Sequence, residues 1–516
     1  MLDTLANAAS QALTLSNFFG AALGIFLGSL LGAIPGLNGT MAIALLVPVT
    51  YTWSPLFAIA MLVGCWKGSV YGGSISAILL NAPGTPEAAA TAFDGYQMTR
   101  QGKAGKALKM ALYASVIGAV FSDVLLMIAS PPIAALALMF GPAELAMLIL
   151  FALVVVAGTG AKSQIKGLIS TALGMLLATA GLDPITTQQR FTFGSIDLDA
   201  GIGLLAMLIG LLVMSEVLIQ MEEGWKEAHA EVMVKSDDPN ASRVTWQELK
   251  SSLGTIFRSS LLGSFCGALP GVGSITAAFM GYDQARRLSK HPERFGKGEI
   301  QGVAAPEAAN NAVCGAGLIP LVTLGIPGAL SAAVIMGAFM IHGLAPGPML
   351  MVEHPETIYG LFMLLIISDF FMLVIPLPLM KLGQWVISVP RAYLFPVILA
   401  LCVIGAYGTH QNLFDVKVMV FFGVLGYFLK KWELSPAALL IAFILGPMAE
   451  VYLRQALKIS GGDPGIFVTK PLAALFLALA VAAIFWTTMR NKRAKRAARK
   501  RASSPKSAPT EQEVEQ

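Results

Sequence analysis

Charge is scarce in this chain. Asp, Glu, Lys and Arg make up 13% of its 516 residues, whereas a soluble domain carries roughly a quarter. With 56% hydrophobic residues and a mean hydropathy of +0.71, so few charges cannot cover a water-facing surface. That excludes a soluble enzyme, a nucleic-acid binder and a disordered chain. Cysteine is scarce too. Cys65, Cys266, Cys314 and Cys402 lie far apart in apolar stretches, with no CxxC or Cys/His spacing, so neither a disulfide framework nor a zinc site is supported and they read as packing residues. The five histidines, His229, His291, His342, His354 and His410, fall mostly in or near loops. There is no Walker A sequence, HExxH, GxSxG or two-His helical pattern, so nucleotide-driven pumping and the familiar hydrolytic chemistries have no support and no cofactor is expected. The N-terminus lacks the basic region of a signal peptide, so the first apolar run, Leu15–Ile34, is expected to stay as a membrane helix.

The apolar residues come in long runs. A hydrocarbon core of ~30 Å needs ~20 apolar residues per helix, and the runs near 15–34, 108–130, 142–158, 164–181, 200–221, 358–380, 392–408, 414–430, 435–452 and 470–489 answer to that. The stretches 35–98, 263–285 and 302–345 are apolar but interrupted by Pro and Gly. Irregular backbone at membrane depth survives only inside protein or beside a water-filled cavity, so a pathway is expected there. The net charge of +5 is concentrated at the C-terminus, where residues 490–516 hold nine Lys/Arg against three Glu. Following the last apolar run, this basic segment reads as a cytoplasmic tail.

Two halves resemble each other. Gly28-Ser-Leu-Leu-Gly32-Ala-Ile-Pro35-Gly36 is answered by Gly263-Ser-Phe-Cys-Gly267-Ala-Leu-Pro270-Gly271. Asn81-Ala-Pro83-Gly84 is answered by Gly325-Ile-Pro327-Gly328, and Ser122-Asp123 by Ser368-Asp369. This divides the chain into a first membrane repeat (15–221), a polar linker (222–252), a second membrane repeat (253–452), an extra helix (470–489) and the tail (490–516). Matched loops differ in charge. Arg100, Lys103, Lys106 and Lys109 correspond to 343–357, which carries only Glu353 and Glu356, while Arg286, Arg287, Lys290, Arg294 and Lys297 correspond to an uncharged segment, 51–66. If Lys and Arg mark the cytoplasm, the halves lie in opposite senses. The expected fold class is all-α: a polytopic helical membrane protein of about twelve transmembrane segments in two inverted-topology repeats, each with Pro/Gly-broken helices or hairpins, the plan of secondary transporters.

Broken helices present free N–H groups to anions and carbonyls to cations. The candidate substrate-binding residues are therefore Asn38, Gly39 and Thr40; Asn81, Pro83, Gly84 and Thr85; Gly273, Ser274 and Thr276; and Thr323, Gly325, Pro327 and Gly328. A single such break is better explained as a capped, tightly packed helix end; four at repeat-related places reverse that weighting and favour binding. Asn310 and Asn311, polar in an apolar run, join them as ligand candidates. Asn38, Asn81, Ser274, Asp123 and Asp369 are candidates for coupling to a cation, Na+ or H+, with Na+ placed at the same broken tips. For Asp123 and Asp369, each within an apolar helix, two readings stay open: a functional role, or a neutral or paired Asp holding helices together. Glu87 and Glu307, each after a Pro, read as helix-start residues favourable to the dipole. Lys67 reads as snorkelling to the interface more than as pairing with an anionic substrate. The stripes Gly20, Gly24, Gly28, Gly32 and Gly263, Gly267, Gly271 read as close helix contacts, with a partner-subunit interface as the lesser alternative.

The segments Gly32–Thr40, Tyr71–Thr85, Phe93-Asp-Gly-Tyr96, Pro306–Ala312 with Ile319–Gly328, and Ser460-Gly-Gly-Asp-Pro464 together resemble the large membrane subunit of the tripartite tricarboxylate transporter (TctA) family, over residues 15 to 470. The resemblance implies a permease in the bacterial inner membrane, multi-pass with a cytoplasmic C-terminus. It would work with a small four-helix membrane subunit and a periplasmic solute-binding protein, and import citrate-like tri- and dicarboxylates on a cation gradient, without being an enzyme. The alternatives are a carrier for another small organic anion, an intramembrane enzyme built on Asp123 and Asp369, and a non-transporting scaffold held by the glycine stripes.

Overall fold

The computed structural model describes residues 2–159, 163–223, 239–380 and 391–503. The polar centre of the linker around Asp237 and Asp238, and the tail beyond Ser503, lie outside the described residues. Among the described residues the fold is all-α apart from one two-residue antiparallel pair, β1 (Gly181–Leu182) with β2 (Gln189–Arg190). In chain order, a short α1 (Leu2–Ala12) precedes α2 (Leu15–Ala33), α3 (Gly39–Leu46), α4 (Pro55–Leu80), α5 (Ala88–Arg100) and α6 (Ala104–Ala137). Next come α7 (Pro142–Thr159), α8 (Gln164–Ala178), and α9 (Leu204–Leu208), which passes through a π-turn at Ile209–Met214 into α10 (Ser215–Glu223). After the linker follow α11 (Trp246–Ala268), α12 (Gly273–Leu288), α13 (Ile300–Ala316), α14 (Leu318–Leu324), α15 (Leu330–Ile341), α16 (Leu350–Glu353) and α17 (Pro355–Val374). The last helices are α18 (Arg391–His410), α19 (Leu413–Lys431), α20 (Pro436–Ile459), α21 (Ile466–Thr469) and α22 (Pro471–Ser503).

Seven helices among the described residues are long and apolar enough to cross a membrane: Leu15–Ala33, Pro55–Leu80, Ala104–Ala137, Leu204–Glu222, Pro355–Met380, Pro436–Ile459 and Pro471–Met489. Five shorter apolar helices accompany them. The chain is a multi-pass membrane protein.

The stretch 35–98 departs from expectation. Its middle is an unbroken 26-residue helix, α4, buried almost throughout from Ala58 to Leu79. The glycines that suggested interruption serve contact instead. On α2, a Cβ at Gly24, Gly28 or Gly32 would meet the carbonyls of Met61, Cys65 and Ser69. On α4, Gly64, Gly68 and Gly72 meet the carbonyls of Ala21, Ile25 and Ser29. Two small-residue stripes thus let the backbones touch, and the rising pairs show that α2 and α4 run parallel. The chain must turn back between them, so α3 returns beside α2 and the break at Ile34–Asn38 is the tip of a hairpin. In the later half, Gly263 and Gly267 meet the carbonyls of Ala309 and Val313, so α11 and α13 are parallel as well and α12 returns from a second hairpin tip. The stripes lie inside the protein, which corrects the partner-interface alternative. By contrast α4 and α13 cross antiparallel, since Trp66 lies against Gly317 while Ser74 bonds Glu307.

Basic loops gather by direct contacts. Gln101 donates to the Lys297 carbonyl at 2.8 Å, Lys106 pairs with Glu248 at 2.6 Å, and Lys109 donates to the Ser242 carbonyl at 2.8 Å. A second group joins Lys430 to Glu216, Lys431 to Glu222, Lys166 to Glu433 and Thr488 to Gln164.

Candidate functional site

Each of the four breaks has a local cause. Helix α2 stops before Pro35, Gly36 turns at φ 97°, and the Asn38 side chain caps α3 by accepting from the Met41 N–H at 3.0 Å. Helix α4 stops at Asn81, whose φ of 54° is left-handed, a conformation Asn tolerates better than most residues. Helix α11 stops before Pro270, and Gly271 (φ 81°) and Gly273 (φ 68°) make the turn. Helix α14 stops at Gly325, left-handed at φ 69°, 244 positions after Asn81.

The breaks pack against each other in a repeated way. A Cβ at Gly84 would strike the Gly32 carbonyl, and Gly84 lies on Gly73. A Cβ at Gly328 would strike the Gly267 carbonyl, and Gly328 lies on Gly317. Gly84 N–H donates to Gly73 at 3.1 Å, and Gly271 N–H donates to Gly328 at 3.0 Å. A further contact crosses between halves: the Thr40 and Ser331 hydroxyls are 2.7 Å apart. Thr40 is in the first turn of α3, and Ser331 is in the first turn of α15, a helix with no side-chain cap. Two helix N-termini therefore converge on one spot, where their dipoles favour negative charge.

The expected substrate-binding residues fall into four groups. Gly39, Thr40, Thr85, Gly325, Pro327 and Gly328 lie in or beside the packed breaks, with Gly39 against the Ser69 side chain. Asn38 serves as a cap, Asn81 is exposed at its helix end, Pro83 is half-buried, and Thr323 is buried and donates to its own helix at Ile319. Gly273 stands in open space, Ser274 is half-buried and Thr276 is exposed. Asn310 and Asn311 are fully buried on α13. Asn311 donates to the Glu307 carbonyl and to the Asn310 side chain, leaving Asn310 Nδ2 and Asn311 Oδ1 without partners.

Two ionisable residues correct the sequence reading. Lys67 does not snorkel. It is fully buried on α4 and donates to Asp123 on α6, to Asp369 on α17 at 2.7 Å, to the Leu365 carbonyl at 3.1 Å and to Ser368 at 3.3 Å. An ammonium reaches the interface only if its stem ends near water, and α4 is enclosed on all sides. Of the two readings of Asp123 and Asp369, the paired one therefore describes their geometry. Glu307 likewise sits inside α13, seven residues after the helix begins, and accepts from Ser74, Thr91 and Ser115; it is not a helix-start residue. Glu87 does stand at the start of α5, as read. The signal for Glu307 was an acid within an apolar run, obscured by the proline beside it.

The Phe93-Asp-Gly-Tyr96 motif forms a latch. Asp94 is buried, with Oδ1 accepting from the N–H groups of Gly296, Gly298 and Glu299 at 2.8 to 2.9 Å and Oδ2 from the Tyr282 hydroxyl at 2.9 Å. It ties α5 to the loop before α13.

A cavity of about 490 Å³ lies elsewhere, between the 196–206 segment, the end of α15 and the α18–α19 turn. It is lined by Asp197, Met340, His410 and Asp415, and by none of the expected site residues. The four cysteines are buried and unpaired. Among the described residues no three His, Cys, Asp or Glu side chains converge as a metal site.

The family model described as the tripartite tricarboxylate transporter TctA family matches residues 18–441. An Agrobacterium vitis protein, "Uncharacterized 52.8 kDa protein in TAR-I ttuC' 3'region", is 39% identical over 96% of this chain and 98% of its own length. A second from the same organism, "Uncharacterized protein in TAR-II ttuC' 3'region", is 41% identical over 45% of this chain and 97% of its own. No solved structure matches.

Proposed function

We propose, from the premise that this chain belongs to the tripartite tricarboxylate transporter TctA family, that it is the permease subunit of a binding-protein-dependent secondary transporter importing tri- or dicarboxylates on a cation gradient. It works with a small four-helix membrane subunit and a periplasmic solute-binding protein in the bacterial inner membrane. Membership of a transporter family weighs against an enzyme, as does the absorption of Asp123 and Asp369 into a pair with Lys67.

The observation that carries the reading is the convergence of the α3 and α15 N-termini at Thr40 and Ser331. The two helices come from different halves, so a carboxylate held there would bridge both. Broken helices meeting near mid-membrane are the usual way for carriers to build such a site. Backbone N–H groups of the first turns hold the carboxylate, and Thr40 and Ser331 supplement them.

Alternating access follows from two inverted-topology repeats, about twelve segments in all, with the divisions 15–221 and 253–452. The reading is supported by three observations. α2 and α4 touch as α11 and α13 do, at offsets of 235 for the first helix and 244 for the second. Gly32, Gly73 and Gly84 are matched by Gly267, Gly317 and Gly328. The matched helices α4 and α13 run in opposite senses. A cytoplasmic C-terminal tail agrees with basic loops on the inside and is supported by the contacts of Thr488 with Gln164 and of Lys166 with Glu433.

The test is uptake of labelled citrate and a panel of di- and monocarboxylates by cells lacking their own carriers, with each partner present or omitted and with sodium present or absent. Uptake that needs all three proteins and a cation gradient supports the reading; no carboxylate uptake with all three folded in the membrane overturns it. Thr40→Val, which removes one polar contact worth about 0.5–1.5 kcal/mol, is expected to raise the concentration for half-maximal uptake by roughly two- to tenfold at normal expression. An unchanged value places the substrate elsewhere.

A further inference from the structure

The Lys67 cluster contains one ammonium and two carboxyl groups, all 0–1% exposed. With both acids ionised it would hold one uncompensated negative charge in the protein interior, at a cost of several kcal/mol. Both carboxyls are held by the one ammonium, and one oxygen of each, Asp123 Oδ1 and Asp369 Oδ2, has no hydrogen-bond partner. The first of these faces Gly315 on α13, where a Cβ would collide with it. The cluster is one cation short, and the two orphaned oxygens are where that cation belongs.

We propose that Asp123 and Asp369, bridged by Lys67, hold one exchangeable proton per transport cycle and form the ion-coupling site of the carrier, a proposal that rests on the carrier reading above. The geometry favours a proton over sodium. The Lys67 ammonium already occupies the centre, taking one oxygen from each Asp, the Leu365 carbonyl and the Ser368 hydroxyl. Two leftover oxygens cannot replace the hydration shell of a metal ion, but either can carry a proton. One carboxylate takes up the proton to become a neutral acid, and the same proton leaves when the carboxylate re-forms on the other side. Repeat matching points the same way: Ser122-Asp123 and Ser368-Asp369 correspond, whereas the position 244 after Lys67 is Asn311, so the ammonium exists on one side only. The cluster also spans the halves, with α4 and α6 from the first and α17 from the second, so movement between them would open it. Among the described residues, Cys314 on α13 is in electrostatic reach of all three and also of Glu87, which in turn reaches Glu307. α2 and α14, also packed here, contribute none.

The experiment uses the complete three-protein complex in liposomes and compares gradient-driven accumulation with substrate counterflow, which needs carboxylate movement but no net ion coupling. One unit of inward pH gradient coupled to one proton is worth about tenfold in accumulation. The wild type is expected to accumulate substrate on that gradient without sodium, with proton uptake seen by a trapped dye. Asp369→Asn and Asp123→Asn are expected to keep counterflow and lose the accumulation. Counterflow with sodium-driven accumulation and no proton flux overturns the proton site but leaves the carrier. Asn variants that still accumulate on a pH gradient overturn it, and so do folded variants that lose counterflow as well. Should the variants not fold, proton uptake per substrate in the wild type decides, and its absence overturns the site. If the wild type moves no carboxylate by either assay, the carrier reading fails and this one with it.

Discussion

A buried lysine between two aspartates is held by its partners more than by its own preference. Taking Lys67 out of water costs several kcal/mol, which Asp123 and Asp369 offset only while the ammonium remains. Lys67→Met is therefore expected to leave two carboxyls crowded together and to cost about 3–5 kcal/mol, the range for breaking a buried pair. Thermal unfolding in detergent would show a clear fall in midpoint; an unchanged midpoint would mean that both acids are already neutral without the lysine. The sequence offered no means of pairing these residues. Lys67, Asp123 and Asp369 are separated by 56 and 246 positions, and the window around Lys67 is as consistent with a membrane interface as with a core. Only the covering of α4 on every side distinguishes the two. Glu307 teaches the same lesson, since its three hydroxyl partners come from α4, α5 and α6.

At the scale of elements, the glycine stripes decide which helices touch. Gly28 meets the Cys65 backbone and Gly263 meets the Ala309 backbone, so neither position has a flexible side chain that could yield. Gly28→Leu and Gly263→Leu are expected to destabilise by at least the 1–3 kcal/mol usual for overpacking, and by similar amounts. Expression and unfolding temperature check this; a large effect at one position alone would break the correspondence between the hairpins. The stripes were legible in the sequence as spacings of four, and their partners on α4 were not, because Gly64, Gly68 and Gly72 looked like interruptions.

The loop between β1 and β2 shows electrostatic control of an element outside the membrane. The Thr186 N–H, the Arg454 guanidinium and the Ile185 N–H hold the Asp183 carboxyl well below the usual carboxylate range. Its contribution is thus fully present above the unfolded value of about 4 and is lost as pH falls through the lowered folded value. Hydrogen exchange in residues 183–190, corrected for intrinsic rates, is expected to stay slow from neutral pH down past the ordinary Asp range. Asp183→Asn should loosen the loop already at neutral pH; equal protection in both proteins would remove Asp183 as the anchor.

For the whole molecule, the prediction concerns sidedness. The loop after α5 and the loop after α15 occupy matching places, yet one is basic and the other carries only acids. Single cysteines placed at Lys103 and at His354, in a chain freed of its own four cysteines, are expected to react with impermeant reagents from opposite faces of the membrane. The same face for both would end the inverted-repeat reading while leaving family membership intact.

Composition, run lengths and the Pro-Gly repeats were enough to establish a multi-pass helical membrane protein with four breaks, because hydropathy and helix breaking are local properties of a chain. Family membership was legible for the same reason, in contiguous motifs. Which breaks meet, which glycines face which carbonyls, and what surrounds Lys67 were settled only by tertiary structure. Those facts depend on contacts between residues dozens to hundreds of positions apart, and on whether the space around a charge is filled by lipid, water or protein.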